Sequence, residues 1–549
     1  MSDSRLGTPI PLLFAAGLQT ADYAVVLAYL AGMLGIGIYL AKTQRTTEEF
    51  FVGDRRMPWW AVGMSMLATL MSTLTYLGLP GEMIQHGVAL AVGWMCLPLV
   101  FLVVGYVWVP FFMRLRLTSA YEYLDRRFGP GTRWLAVVLY LYMRLVWMGA
   151  IVKTVSEAVA QITQDSGPQA LASLTGGAVQ LDKDGWFYFV LLVTGVVTTL
   201  YTALGGIKAV IWTDVVQFLC LFAGAVLTLL VIAGRTGTGP VDWWIEATRT
   251  SHDAPALFSW DLNKREVVFW TLLGGFMWHV CTHASDQVAL QRYFTTRSAS
   301  DARRVAAVNY VLDAIMAVLL AMVGMALLTY FVRNPSELPQ DVSDPRDAKF
   351  ADHIFPHFIA YGLPVGVSGL VVAAVFAVAQ SSLDSGINST ATVIIVNVIR
   401  RHRSQPLSES GELRLAQWLT LAIGMGVTLT GLAVTLLPHK YNIIDMQMKS
   451  FNCVLGPLGA IFMAGILLPH VGSRAVLTGG IIGTLCGVSF AFADLVPGWR
   501  SPAPYLLIPL SWIVTFTLTA LLGGVLRRPA PEQVRGLTWQ SAMRGESAE

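Results

Sequence analysis

The sequence predicts an all-α polytopic membrane protein, and three features indicate this fold class. Of the 549 residues, 55% are hydrophobic and only 13% are charged, whereas ordinary soluble domains carry about 25% charge. Thirteen apolar runs are each long enough to cross about 30 Å of hydrocarbon, which takes about 20 helical residues. Polar residues interrupt two of these runs and fill the middle of a third. We therefore expect about 13 transmembrane helices in a single domain that covers residues 1–549.

The apolar runs have a regular order along the chain. They cover residues 21–42, 57–83, 87–113, 133–163, 186–204, 207–234, 266–290, 304–333, 363–398, 413–437, 442–468, 474–496 and 503–527. Runs two to six and seven to eleven form two sets of five, and a repeat with an odd number of crossings is necessarily inverted. We expect a five-plus-five inverted-repeat core with broken helices, with repeats at about 57–234 and 266–468. The helices at about 21–42, 474–496 and 503–527 are then peripheral.

The positive charges favour one orientation in the membrane. An odd number of helices puts the termini on opposite sides, and Lys and Arg concentrate in cytoplasmic loops. With the N-terminus outside, the inner loops hold 23 of the 37 basic residues. We therefore expect a multi-pass protein of the plasma (inner) membrane with a cytoplasmic C-terminus. The net charge of +3 and the dispersed basic residues give no indication of nucleic acid as a partner.

Corresponding runs of the two sets are interrupted by polar residues. The second run contains Ser72 to Thr75, followed by Gly78 and Pro80-Gly81. The seventh run contains His279 to Asp286, which follows Gly274-Gly275. Polar, Gly- and Pro-containing breaks in corresponding helices indicate a binding site near the middle of the membrane.

A polar stretch, Val378 to Thr390, lies inside the ninth run. At helical spacing Ser381, Asp384 and Ser385 fall on one face, at i, i+3 and i+4. This face offers only oxygen atoms, which suit a hard cation rather than zinc or copper. The alternative is that the serines donate to carbonyl groups of their own helix. The neighbouring Asp384 and Asn388 make that alternative the weaker interpretation.

Several motifs of this chain resemble those of the sodium:solute symporter family. They are Pro58-Trp59-Trp60-Ala61-Val62-Gly63, the segment Gly205 to Asp214, Asp286-Gln287 with Gln291-Arg292-Tyr293, the serine stretch, and Gly456-Pro457-Leu458-Gly459. Together they cover about residues 20–470 in the order expected for the family. The resemblance implies a symporter, not an enzyme, that couples sodium (Na+) entry to the import of a small organic solute. Its partners would be that solute and the lipid bilayer, and the oligomeric state stays open.

By the same resemblance, the family's common sodium site falls on five oxygen atoms of this chain. The ligands would be the backbone carbonyls of Ala68, Met71 and Val378 and the hydroxyl groups of Ser381 and Ser382. The physical pattern agrees, because an interrupted helix frees carbonyl groups and adjacent hydroxyls can complete an oxygen cage. The resemblance implies no metal site beyond sodium.

Some members of the family have a second sodium site one turn further in. The matching positions here are Ser381, Asp384, Ser385 and Asp214. Asp384 stands where those members have a serine, so we expect either a tighter second cation site or a proton-coupled one. The alternative for Asp214 is an interfacial carboxylate near Lys208.

Arg144 is the feature that suggests an anionic solute. It lies 11 residues beyond Arg133, which is about 16 Å along a helix and close to the middle of the bilayer. An arginine at that depth costs a few kcal/mol unless it meets an anion or lines a wet cavity. A guanidinium group is well matched to a carboxylate. The alternative is a structural ion pair with an Asp or Glu of a neighbouring helix.

Other residues of the predicted cavity leave the solute open. Positions that hold the sugar in some members of the family carry Thr75, Leu70, Trp94 and His279 here, so most of that sugar-binding set is absent. We predict a small organic anion, such as a carboxylate, contacted by Thr75, Trp94, Arg144, His279 and His283. A neutral buried histidine is an equal alternative for His279 and His283. Sugars, amino acids and inorganic anions are alternative solutes, and a non-transporting solute sensor is a remote one.

Overall fold

The computed structural model describes residues 17–42, 44–87, 91–249, 256–264, 267–339, 342–351, 353–405, 407–435 and 443–546. Residue 266 of the seventh predicted run, 436–437 of the tenth and 442 of the eleventh lie outside these ranges, as do 88–90 of the third. Within the described ranges the chain is helical, and the only extended pairing found there is an isolated bridge between Ala256 and Val267.

Fourteen helices are used in the description below. They are α1 (Thr20–Ala41), α2 (Trp59–Leu70), α3 (Thr73–His86), α4 (Val92–Arg114), α5 (Pro130–Thr163), α6 (Lys183–Thr236), α7 (Val268–Ser285), α8 (Gln287–Phe294), α9 (Ala299–Arg333), α10 (Val367–Ile394), α11 (Glu409–Thr435), α12 (Ile443–Leu467), α13 (Ser473–Ala491) and α14 (Leu507–Val525). Shorter helices lie between them at Thr47–Val52, Tyr121–Phe128, Gly167–Leu174, Pro240–Arg249, Ala348–Ala351 and Ile354–Tyr361, and a further one, Trp539–Met543, follows α14.

The number of membrane spans differs from the predicted number. In the described part of the chain, 10 helices are long and apolar enough to cross a membrane, or 11 when α2 and α3 count as one broken span. The count of thirteen is therefore not confirmed. The difference lies in α7, which is not among the ten, and in α6, which joins the predicted runs 186–204 and 207–234 into 54 residues. At 1.5 Å per residue α6 is about 80 Å long, more than twice the hydrocarbon thickness.

The two halves of α6 meet at a sharp bend at Gly206. This residue has φ 55° and ψ −158°, a combination that residues with a side chain rarely adopt. A Cβ atom here would also lie 2.7 Å from the ring of Phe50 and 2.8 Å from its carbonyl oxygen. The predicted boundary between the fifth and sixth runs is therefore a bend at a glycine and not an extended loop.

Both predicted helix interruptions are present, and each is a short stretch of extended backbone. Between α2 and α3 the chain is extended at Met71, with φ −75° and ψ 121°, and the two helix axes are bent by 64°. Between α7 and α8 it is extended at Asp286, with φ −85° and ψ 121°. Pro80, by contrast, lies inside α3, so the helix continues through the predicted Pro-Gly break. Extended backbone thus interrupts a helix in each of the two predicted repeats, over two residues (Met71 and Ser72) in the first and one residue (Asp286) in the second.

Helix α10 lies at the centre of the molecule. It packs against α1, α2, α5, α6 and α11, and the polar stretch from Val378 to Thr390 is buried throughout. This burial follows from enclosure by other helices on several sides. The packing brings the hydroxyl groups of α10 next to the end of α2 and the middle of α6.

Candidate functional site

The hydroxyl groups of α10 face carbonyl groups that the α2–α3 break leaves without helical partners. Ser381 Oγ donates to the carbonyl oxygen of Ala68 at 2.7 Å. Ser382 Oγ donates to the carbonyl oxygens of Thr69 at 2.9 Å and Met71 at 3.2 Å. The last carbonyl groups of a helix have no amide partner within it, so they need such donors or a cation. Both hydroxyls thus bridge the two elements.

The five predicted sodium ligands lie together at this place. Ser381 Oγ also lies 3.1 Å from the carbonyl oxygen of Val378, in the preceding turn of α10. The carbonyl of Thr69 adds an oxygen atom that the sequence did not indicate. All of these residues are buried. A compact set of neutral oxygen atoms at a broken helix suits a hard monovalent cation.

A buried ion pair between Arg292 and Asp214 lies beside the next turn of α10, at Ser385. Arg292 of α8 donates to Asp214 Oδ2 at 2.9 Å and to Ser385 Oγ at 2.5 Å, and it also donates to Thr69 Oγ1. Ser65 Oγ donates to the same oxygen of Asp214 at 2.5 Å. Arg292 and Asp214 are both completely buried. Arg292 lies two residues beyond the seventh predicted run, 266–290, and was assigned to a loop, so neither the hydrophobic pattern nor the family motif indicated this buried role.

The alternative predicted for Asp214 is wrong, because its cationic partner is Arg292 and not Lys208. Lys208 instead donates to Asp54 at 3.0 Å and lies 3.7 Å from Glu49. Both residues follow the bend at Gly206, so the reason is their spacing: six helical residues place the two side chains about 120° apart around α6 and about 9 Å apart along it. Lys208 is half-buried near the short helix Thr47–Val52, whereas Asp214 is fully buried.

Asp384 lies beside this ion pair and is connected to it through the hydroxyl group of Ser385. Its Oδ2 accepts a hydrogen bond from Tyr201 Oη at 2.8 Å, and its Oδ1 accepts one from Ser385 Oγ at 3.0 Å. Ser385 in turn accepts from Arg292. The completely buried cluster therefore holds two carboxyl groups, Asp214 and Asp384, and one guanidinium group. With both carboxyls ionised it carries one uncompensated negative charge, which costs several kcal/mol in the absence of a further cation.

A cavity of about 340 Å³ lies beside the same α2–α3 break. Met71 and Ser72 line it, so the oxygen cluster and the cavity share the break. The other lining residues come from α2, α3, α4, α5, α7, α9, α12, the start of α14 and the short helical turn Pro504–Leu506 before it. They are Leu67, Leu70, Leu74, Thr75, Gly78, Leu79, Glu82, Gly93, Trp94, Trp147, Thr271, Gly274, Gly275, Trp278, His279, Asp313, Met448, Asn452, Pro504, Tyr505 and Ile508. Its size and mixed lining are typical of a small-molecule site.

Three of the five predicted solute contacts line this cavity, and two do not. Thr75, Trp94 and His279 form part of its wall. His283 is one turn beyond His279, completely buried, with Nδ1 2.7 Å from Tyr293 Oη. The structure therefore supports the buried-histidine alternative for His283. Arg144 is also absent from the wall.

Arg144 forms a buried ion pair with Asp286, the residue that breaks the helix between α7 and α8. Its guanidinium carbon also lies 5.7 Å from the centre of the Phe451 ring. Only 4% of Arg144 is exposed. The structure therefore shows the structural ion pair that was the alternative for Arg144, and this pair links α5 to the second helix break.

Asp313 of α9 is a cavity residue that the sequence analysis overlooked. Trp94 Nε1 donates to its Oδ1 at 3.1 Å, and His279 Nε2 lies 3.8 Å from its Oδ2. The available signal was a lone carboxylate within the apolar run 304–333, because an ionisable residue inside a membrane span is functional by default.

Comparison with known proteins agrees with this architecture. A model of the sodium:solute symporter family matches residues 50–164 and 168–483. The chain is 29% identical over 475 residues to a sodium/sialic acid symporter of Aliivibrio fischeri, covering 85% of this chain and 86% of that protein. It is 28% identical over 495 residues to the human sodium-coupled monocarboxylate transporter 2, covering 88% of this chain and 73% of that protein.

Among solved structures, the fold is similar to that of a substrate-bound, outward-open Na+-coupled sialic acid symporter. The TM-score is 0.79 at 25% sequence identity, and the match covers 93% of this chain and 99% of that one. The structure shares the inverted-repeat fold of that neighbour, and the relatives are transporters and not enzymes. The family model covers well over half of this multi-pass membrane protein, and the chain therefore belongs to the sodium:solute symporter family.

Proposed function

We propose that this protein is a sodium-coupled secondary active symporter that imports a small organic solute. The observation that carries the proposal is the double role of Met71. Its carbonyl oxygen accepts from Ser382 Oγ at 3.2 Å, and the same residue lines the cavity. A cation held by the oxygen cluster would fix the break, and with it the adjacent wall formed by Ser72 and Thr75.

Coupling follows from this shared break. Sodium and solute would both gain contacts in the arrangement in which α10 and the α2–α3 break are held together. Two ligands that favour the same arrangement raise each other's affinity by the same factor. Sodium entering down its gradient would therefore bring the solute with it. The names of the relatives, which include sodium-coupled symporters of sialic acid and monocarboxylates, support this class of activity.

The oxygen atoms of Ala68, Met71, Val378, Ser381 and Ser382 would hold the sodium ion. In the structure both hydroxyl groups donate to carbonyl oxygens. A hydroxyl oxygen has lone pairs left over, so each serine could turn its hydrogen away and present oxygen to a cation. The carbonyl of Thr69 is placed to contribute as well.

We also propose that Asp384 serves a second cation, either a sodium ion or a proton. Asp214 and Ser385, which the family resemblance assigns to a second site, already receive the guanidinium of Arg292. Asp384 receives hydrogen bonds from Tyr201 and Ser385 but no ion pair within the described chain. The negative charge available to a second cation is therefore that of Asp384.

For the solute we propose a molecule that carries a carboxylate, as sialic acid and monocarboxylates do in the relatives. Arg144 gives no support to a purely anionic solute, since Asp286 already neutralises it. We further propose the plasma (inner) membrane, with the N-terminus outside, on the distribution of basic residues. The repeat bounds of about 57–234 and 266–468 fit the matched breaks at Met71 and Asp286.

Uptake into proteoliposomes tests the proposal. The purified full-length chain would be reconstituted and given labelled carboxylates, amino acids, sugars and halides under an inward sodium gradient, with potassium as the control ion. We expect one class of solute to accumulate only with sodium. A protein that binds a solute but moves none, with or without sodium, would be a sensor and would contradict the proposal.

A further inference from the structure

We infer that the cavity recognises a cationic ammonium group on the solute, held against Asp313 among three tryptophan side chains. The inference rests on the proposed function for transport, but the binding it describes can be measured without transport. Together with the carboxylate proposed above, it makes the solute a zwitterion, such as an amino acid or a betaine, in place of a simple anion.

The charged residues on the cavity wall are acidic. Glu82 of α3 and Asp313 of α9 both line it, and Glu82 lies 3.7 Å from His86 Nε2 of its own helix. No Lys or Arg is found among the lining residues in the part of the chain that the structure describes. Arg144, which would have reversed this balance, is bound to Asp286 instead. A cleft lined by one sign of charge and enclosed by apolar walls attracts ligands of the opposite sign.

Asp313 is held in place for a contact with the cavity. Trp94 Nε1 donates to Oδ1 at 3.1 Å, which fixes the orientation of the carboxylate. Its Oδ2 lies 3.8 Å from His279 Nε2, longer than an ordinary hydrogen bond. The side chain keeps 15% of its exposure. An ionised carboxylate in such a place is costly unless a cation approaches it, and an ammonium group on the solute would supply that cation.

Aromatic side chains surround the same space. Trp94, Trp147 and Trp278 come from α4, α5 and α7 and all line the cavity. The face of an indole ring attracts ammonium groups, and tryptophan does so more strongly than tyrosine or phenylalanine. A carboxylate together with several indole rings is a suitable combination for a primary or methylated ammonium group. A simple anion would meet the carboxylate of Asp313 in this cavity and no Lys or Arg among the lining residues that the structure describes.

A structural role is the alternative for Asp313. In that case the carboxylate only orients Trp94 and His279, and a substitution would affect all solutes alike. The two roles differ in one property: a ligand-binding Asp313 makes affinity depend on the positive charge of the solute. Pairs of compounds with the same shape, of which one carries the ammonium charge, separate these possibilities.

The experiment is a binding titration by calorimetry on the full-length protein in detergent, in sodium and in potassium. The pairs are glycine betaine with 3,3-dimethylbutyrate, choline with 3,3-dimethylbutanol, and L-alanine with L-lactate. We expect the ammonium member of at least one pair to bind at least about tenfold more tightly than its partner. Asp313→Asn should abolish that difference. Asp301→Asn, the same change at the partly exposed start of α9, should retain it.

If Asp313→Asn does not fold, Trp94→Phe keeps a ring while removing the donor to Asp313, and it should reduce the same difference. The inference is overturned if the ammonium member has no advantage in any pair, or if the advantage survives Asp313→Asn. Equal binding of the ammonium compound in sodium and potassium would contradict the proposed coupling but not this inference. Sodium-dependent binding without preference for the ammonium member would contradict only the inference.

Discussion

Ser382 Oγ lies 3.2 Å from the carbonyl oxygen of Met71, a residue 311 positions away in the chain. This contact joins the polar middle of α10 to the break between α2 and α3. Met71 also forms part of the cavity wall. A shift of Met71 on cation binding would therefore also move the wall of the solute cavity. The predictions below test this connection and the buried charges around it.

Asp384→Ser should abolish binding of the proposed second cation. The substitution keeps a hydroxyl for Tyr201 but deletes the uncompensated negative charge of the buried cluster. We expect the sodium dependence of solute binding to fall from second order to first order, or the proton dependence of transport to disappear. Parallel measurement of labelled sodium and labelled solute uptake gives the ratio directly.

Tyr201→Phe is the matched control, because it removes one hydrogen bond to Asp384 and keeps the charge. Its sodium dependence should keep the order of the wild type. An unchanged stoichiometry and affinity in Asp384→Ser would remove the second cation from the account.

Asp214→Asn should destabilise the protein strongly. It leaves the completely buried Arg292 without its anion, and removal of one partner of a buried ion pair costs about 3–5 kcal/mol. The double change Asp214→Asn with Arg292→Met should cost less than the sum of the single changes. Thermal unfolding in detergent measures all three. Asp344→Asn, which breaks an exposed pair with Arg346, should shift the midpoint little, and an equally small shift for Asp214→Asn would refute this role.

Arg144→Gln should lower the stability of the protein and should leave the preference of the cavity for charged over neutral solutes unchanged. Asp286→Asn should have a similar effect, and the two changes should show a coupling of about 1 kcal/mol or more in a double-mutant cycle, because the residues form one buried pair. Titrations with 3,3-dimethylbutyrate and 3,3-dimethylbutanol provide the second measurement. Arg144→Gln should change the affinity for both by the same factor. A selective loss of the anion would show that Arg144 contacts the solute.

Gly206→Ala should destabilise the bend in α6. A methyl group would force an unfavourable backbone conformation at φ 55° and would meet the ring and carbonyl of Phe50, and such strain costs about 1–3 kcal/mol. Gly35→Ala in α1 is the control, since nothing lies within 4 Å of its added Cβ, and alanine favours the helix by up to about 1 kcal/mol. The midpoint of thermal unfolding should therefore fall for Gly206→Ala and not for Gly35→Ala.

Local sequence features predicted the helix breaks and the polar face of α10, whereas the five oxygen atoms of the predicted sodium site came from the family resemblance. Polar residues at Ser72 and at Asp286 mark the two helix breaks, because a helix that frees carbonyl groups in the membrane must have nearby donors or ions. The i, i+3, i+4 pattern of Ser381, Asp384 and Ser385 correctly indicated one polar face on α10. These features depend on neighbours in sequence, so they can be read without the fold.

The charge partners could not be read in the same way. Arg144 and Asp286 are 142 residues apart, and Arg292 and Asp214 are 78 apart, so only the packing decides which pairs form. For Arg144 the sequence left an ion pair open beside the predicted solute contact, since either would offset the cost of a charge at mid-depth. The acidic character of the cavity depends on that choice, and it became visible only with the helices in place.

Binding of labelled sodium to the purified protein tests the central claim most directly. Ser381→Ala and Ser382→Ala, compared with Ser156→Ala, provide a matched set, because Ser156 is equally buried but donates only to its own helix at Val152. We predict that each α10 variant loses at least about tenfold in sodium affinity, equivalent to about 1.4 kcal/mol, while Ser156→Ala binds as the wild type does. Wild-type sodium affinity in both α10 variants would contradict sodium coupling at this site.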